Sequence, residues 1–276
     1  MPELPEVEIT RRGIAPYLVK QTVYQVPIGK PKWRWPIPQD LPQLLHGLKI
    51  CAVQRRAKYL LLDFGNGTLI IHLGMSGSLR ILTRDHDNLM VNPQKHDHFD
   101  LVLDNQVVLR LRDPRRFGAI LWQPADGLPH PLLVNLGPEP LTDDFNARYL
   151  FDKTRGCHTN IKQILMNSHV VVGVGNIYAN ESLFAAGISP RSAANAIGLK
   201  RYEKLVTAVK QTLQLAIASG GSSLRDFVHS DGSSGYFQQQ YWVYGRAGER
   251  CRRCAGEIKQ IKQCQRSSFY CTDCQH

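Results

Sequence analysis

Two cysteine pairs close the chain, Cys251-Arg-Arg-Cys254 and Cys271-Thr-Asp-Cys274, with sixteen residues between them. Two C-x2-C knuckles at that separation can present four thiolates at the corners of a tetrahedron. That suits a zinc ribbon, so one structural Zn2+ is expected; the alternative for such a cluster is an iron–sulfur site. The pairs come with no histidine and no open position, which argues against a catalytic metal. From Arg246 to His276 there are seven Lys/Arg and three acids, a net +4 in 31 residues, more than a third of the chain's +11. Excess charge concentrated on a small metal-held hairpin is expected of a finger that grips a nucleic-acid duplex, although charge alone does not separate nucleic acid from a membrane surface. The apolar runs fall well short of the ~18 residues of a membrane span, and charges from position 3 onward rule out a basic-then-apolar signal segment at the start. Cys51, Cys157 and Cys264 lie outside the pairs; Cys264, inside the finger but off the paired spacing, reads as a free thiol. The odd total of seven fits a reduced, cytoplasmic compartment better than a disulfide framework.

At 276 residues the chain can hold two domains and a sizeable core. After an opening helix that should fade near Pro16, the first half alternates as short strands: Val23 to Val26, Lys49 to Gln54, Tyr59 to Phe64, then a Gly65-Asn66-Gly67 turn and Thr68 to Leu73. His98 to Leu103, Val107 to Leu111 and Ala119 to Gln123 follow, with a Pro- and Trp-rich stretch, GKPKWRWPIP, before them. Many short antiparallel strands predict two packed sheets, a sandwich or flattened barrel. Leu136 to Leu141, LGPEPL, reads as a linker. Beyond it the period lengthens, and helices are expected over Phe145 to Lys153, Asn160 to Asn167 and Leu199 to Ala218. The fold class is therefore α+β: a β-sandwich over 1–135, a linker over 136–141, a helical domain over 142–240 that includes a loop over 220–240, and a finger over 241–276.

Several segments carry chemistry. In MPELPEVE, a small second residue favours removal of Met1, which would leave the secondary amine of Pro2 at the terminus. An α-amine titrates near pH ~8, so part of it is neutral and nucleophilic, and Glu3, Glu6 and Glu8 lie close by for acid–base work. The same residues also read as a plain helix start, with Pro5 in the first turn and acids at the positive end of the dipole. QRRAKYL sets Arg55, Arg56 and Lys58 at a strand entrance. HLGMSGSL ends a strand at His72 and holds Met75 between glycines; DPRRFG holds Arg115, Arg116 and Phe117 in a turn. Apolar side chains on tight loops beside arginines suit a wedge into a base stack, or they are ordinary residues at strand ends. In VVVGVGNIYANE, Gly173 and Gly175 allow a sharp turn and Asn176 suits the N-cap of the next helix, so the backbone N–H groups there could take a phosphate. This is the pattern of a helix–two-turn–helix, though a helix-packing turn would look alike. No P-loop lysine or βαβ pattern accompanies it, so no nucleotide cofactor is expected. The polar stretch Ser230 to Gly235, flanked by Tyr236, could be a lid or a linker.

Taken in order, MPELPEVE, QRRAKYLLL, HLGMSGSL, KHDHFDLV, DPRRFG, LGPEPL, VVGVGNIYANESLF, SDGSSGYF and the finger with QRSSFYC resemble the bacterial formamidopyrimidine-DNA glycosylases, enzymes of oxidised-purine repair, over nearly the whole length. The resemblance implies that Pro2 attacks the sugar C1′ of the damaged nucleotide with Glu3 as proton donor and Glu6 in support. Lys58 would lie at the lesion and its phosphates; Met75, Arg115 and Phe117 would fill the gap left by the extruded base. Asn176 and Arg266 would grip phosphates, Arg266 with a possible part in the second elimination. His72, His96, Lys162 and Tyr236 complete the expected DNA contacts, and the loop around Ser230 to Tyr236 would close over the flipped base. The implied partner is damaged double-stranded DNA, bound by a monomer in the bacterial cytoplasm. Asn167-Ser168-His169 and Arg225 depart from the family pattern. Two other readings are an endonuclease VIII type, which would usually carry Gly in place of Leu4 and lack SDGSSGYF, and a non-enzymatic zinc-ribbon DNA-binding protein, favoured if Met1 is retained.

Overall fold

The computed structural model describes residues 1–29, 32–83, 93–221 and 237–276. Tyr236, Arg225 and the segment Ser230 to Tyr236 lie outside the described residues. The chain forms two compact units, Met1–Val134 with Gly220–Tyr236, and Asn135–Ser219 with Phe237–His276. Of the returning stretch in the first unit, Gly220 and Gly221 are described.

The first unit starts with helix α1 (Leu4–Leu18). It runs past the expected stop at Pro16, because Ile14 and Leu18 are fully buried and hold the last turn in the core. The strands are β1 (Val23–Gln25), β2 (Ala52–Arg56), β3 (Tyr59–Asp63), β4 (Gly67–His72), β5 (Ser78–Leu82), β6 (Asp97–Leu103), β7 (Val108–Arg112) and β8 (Ala119–Pro124). They form two four-stranded sheets with orders β1-β6-β7-β5 and β2-β3-β4-β8, and every pairing is antiparallel. The period of two explains how they pack. Leu60 and Leu62 of β3 and Leu69 and Ile71 of β4 share one core with Leu79, Phe99, Leu101, Leu109 and Leu111 of the other sheet. The alternate residues Tyr59, Leu61 and Ile70 face outward, where they meet Leu132 and Leu133 of the short helix α3 (Pro131–Val134). Helix α2 (Leu41–Leu45) adds Leu41 and Leu45 to the main core. Between β6 and β7, Arg110 is buried against Asp100 with contacts of 2.8 and 2.7 Å.

The second unit holds α4 (Ala147–Thr154), α5 (Ile161–Leu165), α6 (Asn176–Ala185) and α7 (Leu199–Ala218), followed by the hairpin of β9 (Ile258–Gln263) and β10 (Arg266–Cys271). Asn146 and Asn160 cap α4 and α5 through their side chains. The apolar stripe Leu205, Val209, Leu213 and Ala216 of α7 is fully buried. The hairpin does not stand apart from the helices: Phe184 of α6 shares a small core with Val243, Cys251, Ile258, Phe269 and Cys271. Among the described residues no helix is long and apolar enough to cross a membrane.

Candidate active site

At the start of α1, Glu3 is the N-cap and Glu6 the third helical residue. The Glu3 N–H donates to Glu6 Oε2 at 2.8 Å, and the pair forms a reciprocal capping box. Both carboxylates are buried, Glu6 fully, and Pro2 is buried beside them. The helix-start and chemical readings of this stretch are thus one structure: the cap fixes the carboxylates within a residue or four of the amine. One turn further, Glu8 accepts from Arg11 and Arg12 at 2.9 and 2.8 Å and from Arg55 of β2 at 3.3 Å. Burial would raise the Glu8 pKa, but these arginines outweigh it and bring it down to about 2.

Lys58 stands in the tight turn joining β2 to β3, after Ala57 at φ +55°. Directly across the next pairing, Tyr59 and His72 face each other with ring centroids 4.9 Å apart. Burial and the nearby Lys58 charge bring the His72 pKa down to about 4, against a smaller opposing pull from Asp113. Its Nδ1 accepts the Gly74 N–H at 3.1 Å, so the neutral ring carries its proton on Nε2 and is an uncharged donor at neutral pH.

Met75, Arg115 and Phe117 sit on two loops that are pinned together. Met75 and Phe117 are 39% and 40% exposed, too open for strand-end core residues. Arg115 lies over the Phe117 ring, 4.7 Å from its centroid. Asp113, fully buried, makes the joint. Its Oδ1 accepts from the Ser76 hydroxyl at 2.7 Å and the Arg115 N–H at 3.2 Å, and its Oδ2 accepts from the Gly118 N–H at 2.9 Å. The backbones touch at two glycines: a Cβ on Gly74 would lie 2.5 Å from Gly118 N, and one on Gly118 would lie 2.6 Å from His72 O. Only glycine allows this approach. Arg116, between the two exposed side chains, takes φ +57°. His96 is half-buried at φ +82°, and its carbonyl accepts the Asp113 N–H at 3.0 Å.

In the second unit, Asn176 is the first residue of α6. The N-cap is Gly175, which corrects the expected capping role: the turn spends its glycine there and leaves the Asn176 side chain free of capping duty. Asn176 Oδ1 is buried and has no hydrogen-bond partner among the described residues. Lys162 also departs from its expected role as a surface DNA contact. It is 2% exposed, and its ammonium donates to Ser267 O and Ser268 Oγ, both at 2.7 Å. Arg266 is exposed at the start of β10, next to a two-residue turn in which Cys264 and Gln265 take φ +44° and +63°. Asn180 ties α6 to the same strand, donating to Asn176 O at 2.6 Å and accepting the Phe269 N–H at 2.8 Å.

The sulfur atoms of Cys251, Cys254, Cys271 and Cys274 all lie within 4.8 Å of one another, with Cys251–Cys274 at 3.9 Å and Cys254–Cys271 at 3.4 Å. A tetrahedron with metal–sulfur bonds of about 2.3 Å has edges of about 3.8 Å, so the cluster fits a metal ion held by four thiolates. The Arg253 N–H points at Cys251 Sγ at 3.4 Å, as a knuckle that stabilises a thiolate requires.

Residues 1–120 match the formamidopyrimidine-DNA glycosylase N-terminal domain, and residues 136–228 match the formamidopyrimidine-DNA glycosylase H2TH domain. A formamidopyrimidine-DNA glycosylase of Herminiimonas arsenicoxydans is 55% identical over 278 residues, covering all of both chains. The chain belongs to the formamidopyrimidine-DNA glycosylase family. Among solved structures, the Lactococcus lactis enzyme of this family is similar in two forms. One is a glycine-to-proline variant bound to DNA containing Fapy-dG, with a TM-score of 0.89, 35% identity and complete coverage of both chains. The other is the wild type bound to DNA containing an oxidised pyrimidine, with a TM-score of 0.88, 34% identity and complete coverage.

Two buried carboxylates of this formamidopyrimidine-DNA glycosylase family member were missing from the residues picked out by sequence. Asp113 is one. Glu181 is the other: it accepts backbone N–H groups from Trp242, Val243 and Tyr244 at 2.8, 3.0 and 2.8 Å, while its burial pushes its pKa up against those bonds. A lone acid inside an apolar helix, as in NIYANESLF, was the available signal for Glu181.

Proposed function

We propose that this enzyme removes oxidised purines such as 8-oxoguanine and formamidopyrimidines from duplex DNA and then nicks the strand at the same site. The observation that carries this reading is the capping box, which holds two buried carboxylates beside residue 2. Once Met1 is removed, the Pro2 nitrogen attacks C1′ as the bond to the base breaks, and the base leaves with that electron pair and a proton. Proton donation to O4′, assigned to Glu3, opens the sugar and leaves a C1′ iminium. Proline is a secondary amine, so its iminium has no N–H to lose and remains a cationic electron sink. It acidifies C2′, the 3′ phosphate departs, and a second elimination releases the 5′ phosphate before water frees the amine. Glu6 holds Glu3 in place. His72 supplies an uncharged donor, and Lys58 a cation, toward the phosphates around the lesion.

A base must leave the stack to be excised, so the hole has to be filled. Met75 and Phe117 are the apolar wedge, and Arg115 meets the orphaned base. Asn176 and Arg266 grip phosphates, His96 and Tyr236 are further contacts, and Lys162 acts by holding the strand that carries Arg266. The four cysteines hold one Zn2+, whose part is structural. The enzyme acts as a monomer.

Borohydride reduction in the presence of 8-oxoguanine duplex should trap an adduct mapping to residue 2 by mass spectrometry, and Glu3→Gln should bind lesion DNA yet release little base. An adduct on Lys58 would overturn the nucleophile assignment. A formamidopyrimidine-DNA glycosylase has been solved on DNA containing an oxidised pyrimidine, so some processing of pyrimidine lesions fits this reading. Excision of oxidised pyrimidines with none of oxidised purines would favour the endonuclease VIII type instead.

A further inference from the structure

The wedge turn rests on a segment that the reading above leaves without a role, residues 32–35. Trp33 is buried, edge-on to His98 with ring centroids 5.6 Å apart. A Cβ placed on Gly118 would come within 3.2 Å of the Trp33 ring. The His98 ring in turn lies within electrostatic reach of Asp113, the residue that joins the two wedge loops. The Arg34 N–H makes a long bond of 3.5 Å to the carbonyl of Arg116. The segment is therefore built onto the back of the turn that displays Arg115 and Phe117.

What it shows to solvent is cationic and aromatic. Lys32, Arg34 and Trp35 are exposed, Trp35 by 40%, and so are Arg115 and Arg116. No carboxylate among the described residues pairs with Arg34. A solvated charge on a mobile loop binds weakly because it must be ordered first. Arg34 differs, since its neighbour is locked in the core and its own N–H is tied to the turn. A planar guanidinium presented from a fixed backbone suits a phosphate diester, and an adjacent indole shields such a pair from water.

We propose that Arg34, with Trp35 beside it, is a further phosphate contact of this enzyme, on the strand opposite the lesion. The strand assignment rests on the proposed function, in which Arg115 of the same turn faces the orphaned base. Phosphates on one strand repeat every ~3.4 Å of helix axis, so the contacted one lies within about three nucleotides of that base.

The test uses the full-length protein and a duplex with a stable abasic analogue. Single methylphosphonates, which remove the charge of one phosphate, are placed in turn along the undamaged strand. At one position within three nucleotides of the orphaned base, neutralisation should weaken wild-type binding roughly tenfold, as expected for a lost charge-assisted hydrogen bond. Arg34→Gln should bind the normal duplex correspondingly less well and be indifferent to that substitution. Arg34→Lys should recover part of both the affinity and the sensitivity. If Arg34→Gln keeps the wild-type sensitivity at every position, the proposal fails while the proposed function stands. If wild type shows no preference for the abasic-analogue duplex over undamaged DNA, the proposed function itself fails, and the strand assignment with it.

Discussion

At the scale of single residues, the site is built on buried carboxylates, Glu3, Glu6 and Asp113. Asp113 satisfies two backbone N–H groups and one hydroxyl on two loops, and removing it leaves buried donors unpaired at roughly 1–3 kcal/mol. Asp113→Ala should therefore reduce excision from a lesion duplex by roughly ten- to a hundredfold, because the wedge loses its joint. Nicking of a preformed abasic site, where no base has to be displaced, should fall much less; parallel assays on the two substrates check this. His72 gives a signature in pH. Its folded pKa of about 4 lies below the unfolded value near 6.5, so the unfolded state binds the extra proton first as pH falls. Stability is thus lost between pH 6.5 and 4, and His72→Asn should flatten that part of a Tm–pH curve. The chemical residues were legible in sequence because amine, acid and thiolate chemistry demand particular side chains at particular spacings. Asp113 was hidden inside DPRRFG, where the neighbouring arginines and phenylalanine drew the reading. Lys162 is expected among the DNA contacts from the resemblance alone, and no pattern in the sequence reveals that its side chain is buried against β10.

The elements show how the two proposed phosphate contacts, Asn176 and Arg266, come to share one support. Lys162 on α5 and Asn180 on α6 both bond to β10, the strand that starts with Arg266. Lys162→Met should therefore weaken duplex binding about tenfold with the metal content unchanged, although the side chain it removes is buried; titration and metal analysis on the same sample check this. At the other end of the chain, Glu8 links α1 to β2. Its folded pKa of about 2 lies below the usual carboxylate value of 4.5, so its contribution is full above pH 4.5 and is lost as pH falls toward 2. Glu8→Gln should lower Tm at pH 7 and narrow the gap from wild type at pH 3. Strands with clean alternation, such as β3 and β4, and the uninterrupted stripe of α7 were readable from sequence. β5 was not, because MSGSL reads as the tail of a loop and its pairing with β7 is made by residues thirty positions away. The five-residue α2 and four-residue α3 are too short to show a helical period, and their existence follows from the cores they cover.

For the molecule as a whole, charge and the proposed metal would set the conditions of binding. With about six phosphate contacts, log affinity should fall against log salt with a slope of roughly −5. Structural zinc in finger peptides is worth on the order of 10–16 kcal/mol, and here the ribbon shares its core with Phe184 of α6. Cys251→Ser should thus lose the metal, unfold the ribbon and loosen the end of α6, seen as faster amide exchange there, while the sheets of the first unit stay protected. Backbone strain is also unevenly placed. Ala57, His96, Arg116, Cys264 and Gln265, all non-glycine residues at positive φ, are neighbours or members of the proposed DNA-contacting set, whereas Lys20, Gln106 and Ala255, also at positive φ, are not; Ala255 follows the metal-ligand candidate Cys254. Such residues each hold about 1 kcal/mol or more that a glycine would release. Selection for heat resistance then has two kinds of turn to work on. Glycine at Lys20 or Gln106 should raise Tm without a change in turnover, whereas glycine at Ala57 or Gln265 should raise Tm and slow the enzyme, since the turn that relaxes is the one that aims Lys58 or Arg266.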